Sequence, residues 1–259
     1  MSVTDKKIGV FDSGHGGLSL VRSLVETGAH LQIDYFADLE YHPYGALSDE
    51  VVFERAVLIT KKLIDRGAEL ILVACNTATA VTIDLLREKF NVPFVGIEPY
   101  LSVFERQAIP REHAYVLMTP LMAASKRFGK LKDRRDPDGI VKTFVCPRLA
   151  SLVEEGLKDG QSLALQKKIQ DELAELKSLR PQSLILGCTH YPFLKEMIEL
   201  WTGAQCYSPC AYVAQRVLQV LELAPAGDAQ IKGQFHYSLD LTASFELKNM
   251  SDYCAFRIL

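Results

Sequence analysis

Short apolar runs alternate with helix-patterned stretches through roughly the first hundred residues, and few architectures accept that order. The runs lie at 8–11, 32–36, 70–73 and 92–96. Between them, apolar residues recur at helical spacing. In the stretch 49–66, for instance, Val52, Ala56, Ile59 and Leu63 share one face before Gly67 ends it. Such alternation calls for a parallel sheet covered by helices on both faces. From Tyr100 the pattern begins afresh, with strands expected at 114–118, 143–146, 184–186 and 205–207. Helices are expected at 100–108, 123–131, 162–179, 192–201 and 212–223. The tail from Gln234 reads as a strand and then a poorly patterned segment. The expected fold is therefore α/β: two pseudo-symmetric three-layer domains, with mostly parallel sheets and the active site in the cleft between them. One domain would span 1–98 plus a returning segment 212–259, and the other 99–211.

Two of the strand-like runs end alike. Glu69-Leu-Ile-Leu-Val-Ala-Cys75-Asn76-Thr77 passes from buried-strand residues to a thiol, an amide and a hydroxyl. Leu184-Ile-Leu-Gly-Cys188-Thr189-His190 repeats that grammar. In an open α/β sheet, ligands lie outside the carboxyl ends of the strands, so both cysteines are candidates for chemistry. A single cysteine is most often a small packing residue. Two in matched contexts argue for a shared role. A planar carbanion approached from both faces needs one proton carrier per face, and thiols titrate close enough to neutrality to serve. Asp12 and His190, one beside each cysteine strand, are the obvious helpers, able to seat an ammonium or tune a thiol.

The first strand leads into Asp12-Ser13-Gly14-His15-Gly16-Gly17, a glycine-rich turn opening a helix. A dinucleotide fingerprint would require a third glycine at position 19, where the chain has Ser19, so no nicotinamide cofactor is expected. The turn instead offers a carboxylate, a hydroxyl and helix N-terminal amides to a small ligand. After the second strand, Ala37-Asp38 is followed by Pro43-Tyr44-Gly45, a turn whose N–H groups suit a carboxylate. Thr119 closes the strand at 114–118.

A net charge of −3 removes any argument for binding nucleic acid. The basic stretch Lys126, Arg127, Lys130, Lys132, Arg134 and Arg135 is interleaved with Asp133, Asp136 and Asp138 and reads as a solvated loop. No apolar run approaches the ~18 residues of a membrane span, and no signal peptide opens the chain, so a soluble cytoplasmic protein is expected. Cysteines at 75, 146, 188, 206, 210 and 254 form no disulfide framework. Cys206 and Cys210 lack a second ligand pair, so no metal is assigned.

Asp12-Ser-Gly-His-Gly-Gly17, Pro43-Tyr-Gly45, Ala74-Cys-Asn-Thr77 and Gly187-Cys-Thr-His-Tyr-Pro192 together resemble, in order and spacing, the signature segments of bacterial glutamate racemases. The resemblance covers essentially the whole chain. It implies two α/β domains, no cofactor, a homodimer, and conversion of L-glutamate to D-glutamate for peptidoglycan. On this reading Cys188 takes the proton from L-glutamate and Cys75 from D-glutamate, assisted by Asp12 and His190. Substrate binding would fall to Asp12, Ser13, Pro43, Tyr44, Gly45, Asn76, Thr77, Thr119, Thr189 and His190. Auxiliary roles are expected for Asp38 and for Glu154, which has Glu155 as its neighbour. The chain departs from the family pattern at His15, where the family usually has an apolar residue. It also has Ala37 where a glycine is usual and Met122 where a threonine is frequent, and it lacks the usual tripeptides around Ser208-Pro209-Cys210 and Ser238-Leu239-Asp240. These differences bear on substrate affinity and side-chain preference more than on reaction type.

Other readings make different demands. A racemase acting on aspartate would share the motifs. A cysteine hydrolase with His190 as base leaves the second thiol unexplained and requires a covalent intermediate. A non-catalytic amino-acid-binding or partner-binding protein is compatible with the same scaffold.

Overall fold

The computed structural model describes residues 6–160, 162–225 and 234–248, so Cys254 and the end of the returning segment lie outside the described residues. Its elements are β1 (Lys6–Asp12), α1 (Leu18–Val25), β2 (Leu31–Ala37), α2 (Asp49–Asp65), β3 (Leu70–Val73), α3 (Asn76–Lys89) and β4 (Phe94–Gly96). There follow α4 (Val103–Arg106), β5 (Ala114–Met118), α5 (Pro120–Ala124), α6 (Lys126–Arg135), β6 (Lys142–Val145), α7 (Leu149–Asp159), α8 (Leu163–Glu172) and α9 (Ala174–Ser178). The last are β7 (Ser183–Leu186), α10 (Lys195–Thr202), β8 (Gln205–Tyr207), α11 (Cys210–Val220), β9 (Phe235–Ser238) and β10 (Glu246–Lys248).

The strands form two sheets, ordered β10-β9-β2-β1-β3-β4 and β6-β5-β7-β8. Every pairing is parallel except β10 with β9 at one edge. Within each sheet the main quartet runs second, first, third, fourth in chain order: β2-β1-β3-β4 and β6-β5-β7-β8. The winding reverses beside the first strand of each quartet, and such a reversal opens a crevice at the strands' carboxyl ends. Cys75 follows the third strand of one quartet and Cys188 the third strand of the other. The pseudo-symmetry expected from the repeated grammar is thus one of topology.

Strand alternation explains the layers. Val10, Ile33 and Leu72 face α1 and α11, burying Leu20, Leu24, Val213 and Val217. Phe11, Ile71 and Val73 face α2 and α3, burying Val52, Ile59, Leu63 and Leu86. In the second sheet, Leu117, Leu184 and Leu186 pack with Val153, Ile169, Leu176 and Ile198, while Val116, Met118 and Ile185 pack with Phe104, Phe128 and Leu131. Because α11 covers the first sheet and β9 pairs with β2, the chain returns to its starting unit after β8.

Three local expectations are corrected. The basic stretch is the helix α6 and not a loop: Ser125 caps it through the Phe128 N–H, and Phe128 and Leu131 supply a buried side while the charges face outward. The helix expected over 162–179 is interrupted at Leu173, although Leu165, Ile169, Leu173 and Leu176 all stay buried. The helix expected over 100–108 contracts to α4, and Ala108 adopts φ 49°, outside helical backbone. Among the described residues no helix is long and apolar enough to cross a membrane.

Candidate active site

Most of the site residues sit just past the end of a parallel strand. β1 delivers Asp12, whose carboxylate is fully buried and accepts bonds from the Thr189 hydroxyl (2.7 Å), the Gly14 N–H (2.9 Å) and the Ser13 hydroxyl (3.2 Å). Burial raises its pKa against the opposing pull of His190, Thr189 and Gly14. Thr189 belongs to the other sheet, and its carbonyl also accepts from the Ser19 hydroxyl at 2.9 Å. The ends of β1 and β7 are therefore laced together.

Cys75 is the N-cap of α3, its sulfur accepting from the Ala78 N–H at 3.5 Å with the Ser13 hydroxyl 4.0 Å away. Burial, then the charge of Asp12, pushes this thiol well above the ordinary cysteine range, so it is held protonated. Cys188 has a different neighbour. Its sulfur lies 3.6 Å from His190 Nδ1, and His190 Nε2 lies 2.7 Å from Glu154 Oε1. Burial disfavours the imidazolium, but Cys188 and Glu154 together outweigh it and hold the His190 pKa well above its ordinary value. Glu154 is half-buried, which alone would raise its pKa, yet bonds from His15 and His190 keep its carboxyl far below the usual range. One thiol is stored with its proton. The other lies against the His190 ring.

These ends enclose a cavity lined by Ser13, His42, Pro43, Tyr44, Gly45, Cys75, Asn76, Thr77, Thr119, Ala150, Cys188, Thr189 and His190. Its volume is about 10 Å³, room for roughly one water. Both sheets contribute walls, joined by Asp12–Thr189, by Thr77–Thr119 at 3.0 Å, and by Glu154 to His15. Both amide atoms of Asn76 are buried without a protein partner, an arrangement costing about 1–3 kcal/mol per group that a polar ligand relieves. Neither ring nitrogen of His42 makes a well-formed hydrogen bond. Burial and the charge of His190 bring the His42 pKa down to about 4, so its ring faces the cavity neutral. His42, Glu154 and His190 bring one donor atom each within 4.8 Å of one another. Glu154 and His190 are already paired, and the second Glu154 oxygen is taken by His15, so the trio reads as an ion-pair network and not as a metal centre.

Most of the residues singled out in the sequence therefore converge on one cavity. Asp12 lies just behind its wall. Asp38 stands further back, accepting from the Tyr44 hydroxyl (2.5 Å) and a bidentate Arg55 (2.9 and 2.6 Å), and so holds Tyr44 in place. Of the adjacent glutamates, Glu154 faces the network and Glu155 pairs with Lys168 outside. Met122 is buried in the core of the second sheet and does not line the cavity. Sequence reasoning missed His42 and Ala150. Ala150 precedes Glu154 by one helical turn, and His42 sits directly before Pro43; either spacing was a usable signal.

Two mainly parallel sheets of matching strand order, each delivering a thiol to one cavity, define a class: α/β proteins with paired cysteines at a single site. The model of the family described as Asp/Glu/Hydantoin racemase matches residues 39–217. Glutamate racemase of Clostridium botulinum is 34% identical over 77% of this chain and 76% of its own, and that of Herpetosiphon aurantiacus is 40% identical over 75% of each. Among solved structures, Escherichia coli glutamate racemase in complex with L-glutamate and the activator UDP-MurNAc-ala superposes with a TM-score of 0.78 at 28% identity, over 86% of this chain and 85% of that one. Francisella tularensis glutamate racemase in complex with D-glutamate gives a TM-score of 0.70 at 26% identity, over 90% and 88%. The chain belongs to the Asp/Glu/hydantoin racemase family.

Proposed function

We propose that this protein interconverts L- and D-glutamate by two-thiol proton transfer at Cα, without a cofactor, and supplies D-glutamate for peptidoglycan. The observation that carries the reading is the convergence of two thiols from matching strand ends of the two sheets on one cavity, Cys75 capping α3 and Cys188 lying 3.6 Å from His190 Nδ1. Two-base racemisation needs that pairing, one base and one acid across the substrate. The Cys188 thiolate takes the Cα proton of L-glutamate, and the electron pair left on carbon accepts the Cys75 proton from the opposite face. The next turnover in that direction requires the protons to redistribute; the reverse reaction exchanges the roles. Ser13 faces the substrate ammonium with the Asp12 carboxylate just behind it, while Asn76, Thr77, Thr119, Thr189 and the Tyr44-Gly45 backbone receive the carboxylates. His190 stands against Cys188, and Glu154 orients His190. Asp38 supports Tyr44.

Glutamate racemases solved with L- and with D-glutamate support the choice of substrate. The same reading takes the two domains as 1–98 with 212–259 and 99–211, the site in the cleft between them, and the protein as a cytoplasmic homodimer. The test is racemisation of L-glutamate in D₂O. Early D-glutamate carries deuterium at Cα while remaining L-glutamate keeps protium, and Cys75→Ser and Cys188→Ser each abolish turnover, because a hydroxyl is a far weaker base than a thiolate. Protium carried into the product, with either serine variant near wild-type rate, overturns the reading.

A further inference from the structure

Glu154 stands on α7 against the second sheet, yet two of its three hydrogen bonds come from the first. The His15 backbone N–H donates to Oε1 at 2.6 Å, and the His15 ring meets Oε2 through Nδ1, also at 2.6 Å. The third bond is the one to His190. His15 lies in the turn between β1 and α1, and a Cβ on Gly14 or Gly16, its neighbours, would collide with the Glu154 carboxylate or the His190 ring. The backbone is thus bare where it presses on the network. We infer that His15 is a positioning residue for the racemase chemistry: its ring seats the Glu154 carboxylate against His190, and Tyr237 fixes the tautomer in which it does so. This rests on the two-thiol reading above.

An ionised carboxylate only accepts, so Nδ1 of His15 carries the hydrogen that faces Glu154. Nε2 lies 2.8 Å from the Tyr237 hydroxyl and accepts from it in the neutral ring. Tyr237 is itself braced, stacked on His15 with centroids 6.0 Å apart and on Tyr35 at 5.7 Å, while the Tyr35 hydroxyl donates to the Gly14 carbonyl at 2.7 Å. A single line of contacts then runs from β9 through Tyr237, His15, Glu154 and His190 to the Cys188 sulfur. An apolar side chain at position 15, which the resemblance leads one to expect, would keep the backbone donor but leave Oε2 without its ring partner. Glu154 could then swing about one fixed oxygen, and His190 with it. No atom of His15 lines the cavity, so its effect on the reaction passes through Glu154.

Three variants test this. His15→Phe removes both ring nitrogens while keeping a flat ring. His15→Asn restores a side-chain N–H about where Nδ1 stood, and Tyr237→Phe deletes one hydroxyl. His15→Phe is expected to lower kcat at least about tenfold, on the scale of a lost bond to a charged group, with KM changed less than about twofold. The pH limb belonging to His190 moves with it; that ring is faced by Cys188, Glu154, Asp12 and His42. His15→Asn recovers most of the loss. In ¹⁵N-histidine NMR, wild-type His15 reports hydrogen on Nδ1, Tyr237→Phe reduces that preference, and His15→Phe displaces the His190 ring signals. Wild-type kcat and pH profile in His15→Phe, or no recovery in His15→Asn, overturns the inference, as does a wild-type His15 protonated at Nε2 alone. Should His15→Phe fail to fold, His15→Asn against Tyr237→Phe with the NMR readout decides. A wild-type protein inert towards glutamate refutes the proposed function instead, and the tautomer measurement still reports on the positioning.

Discussion

Glu154→Gln keeps the side chain's shape and removes its charge. Three donors converge on the carboxylate: the His15 N–H, His15 Nδ1 and His190 Nε2. A glutamine oxygen can accept two of them, but its NH₂ must then confront the third. Losing one hydrogen bond to a charged group costs about 1.5–3 kcal/mol, which at about 1.4 kcal/mol per decade is roughly a 10- to 150-fold fall in kcat. Polarimetry with each enantiomer measures it. The mirror-image substrates have equal free energy, so kcat/KM must fall equally in both directions, an internal check on the data. Stability follows by sign. Burial raises the Glu154 pKa but its bonds depress it further, so the folded value lies below the unfolded value of about 4.3. Its contribution is present above that pH and is lost as pH falls through the folded value; Glu154→Gln therefore has a flatter acid limb of Tm against pH. His190 works the other way: its folded pKa is raised, so its contribution is full below about 6.5 and is lost as pH rises through the folded value. Without Glu154 that loss begins at lower pH. A variant racemising within about twofold of wild type, with an unchanged acid limb, would refute the reasoning.

Asp12→Asn and His190→Asn should each lose about 10²-fold or more in kcat while folding cooperatively, because these side chains sit at strand ends and outside the apolar layers. Burial raises the Asp12 pKa, so its charge weighs against folding at neutral pH, and Asp12→Asn should melt no lower than wild type by calorimetry. Protein dialysed exhaustively against EDTA should retain full racemisation; a loss restored by a metal or other cofactor would require a different mechanism.

Architecture was legible wherever a strand is buried on both faces. β3 and β5 carry the residues expected of them, because such strands read as unbroken apolar runs. The site residues at strand ends were legible for the complementary reason: Cys75, Asn76, Cys188 and His190 interrupt those runs abruptly with groups a core would not accept unpaired. Contacts between the sheets were not. Nothing local marks His15 as a partner of Glu154 or Tyr237: it meets Glu154 only once the two sheets are apposed, and Tyr237 only once β9 returns to pair with β2. His42 was hidden similarly inside a turn recognised for its proline and glycine. The interruption at Leu173 leaves the apolar spacing intact, so periodicity carried no trace of it.

A cavity of about 10 Å³ between two thiols is too small for an amino acid with two carboxylates, so the walls must part for every substrate that enters. While they are shut, the proton lifted from carbon has almost no solvent with which to trade places. Isotope enters the thiols only in the open intervals, and label in the product therefore counts openings much as an escapement counts swings. A viscous co-solvent that slows the opening should slow the arrival of label in step with turnover, leaving the chemistry between openings untouched.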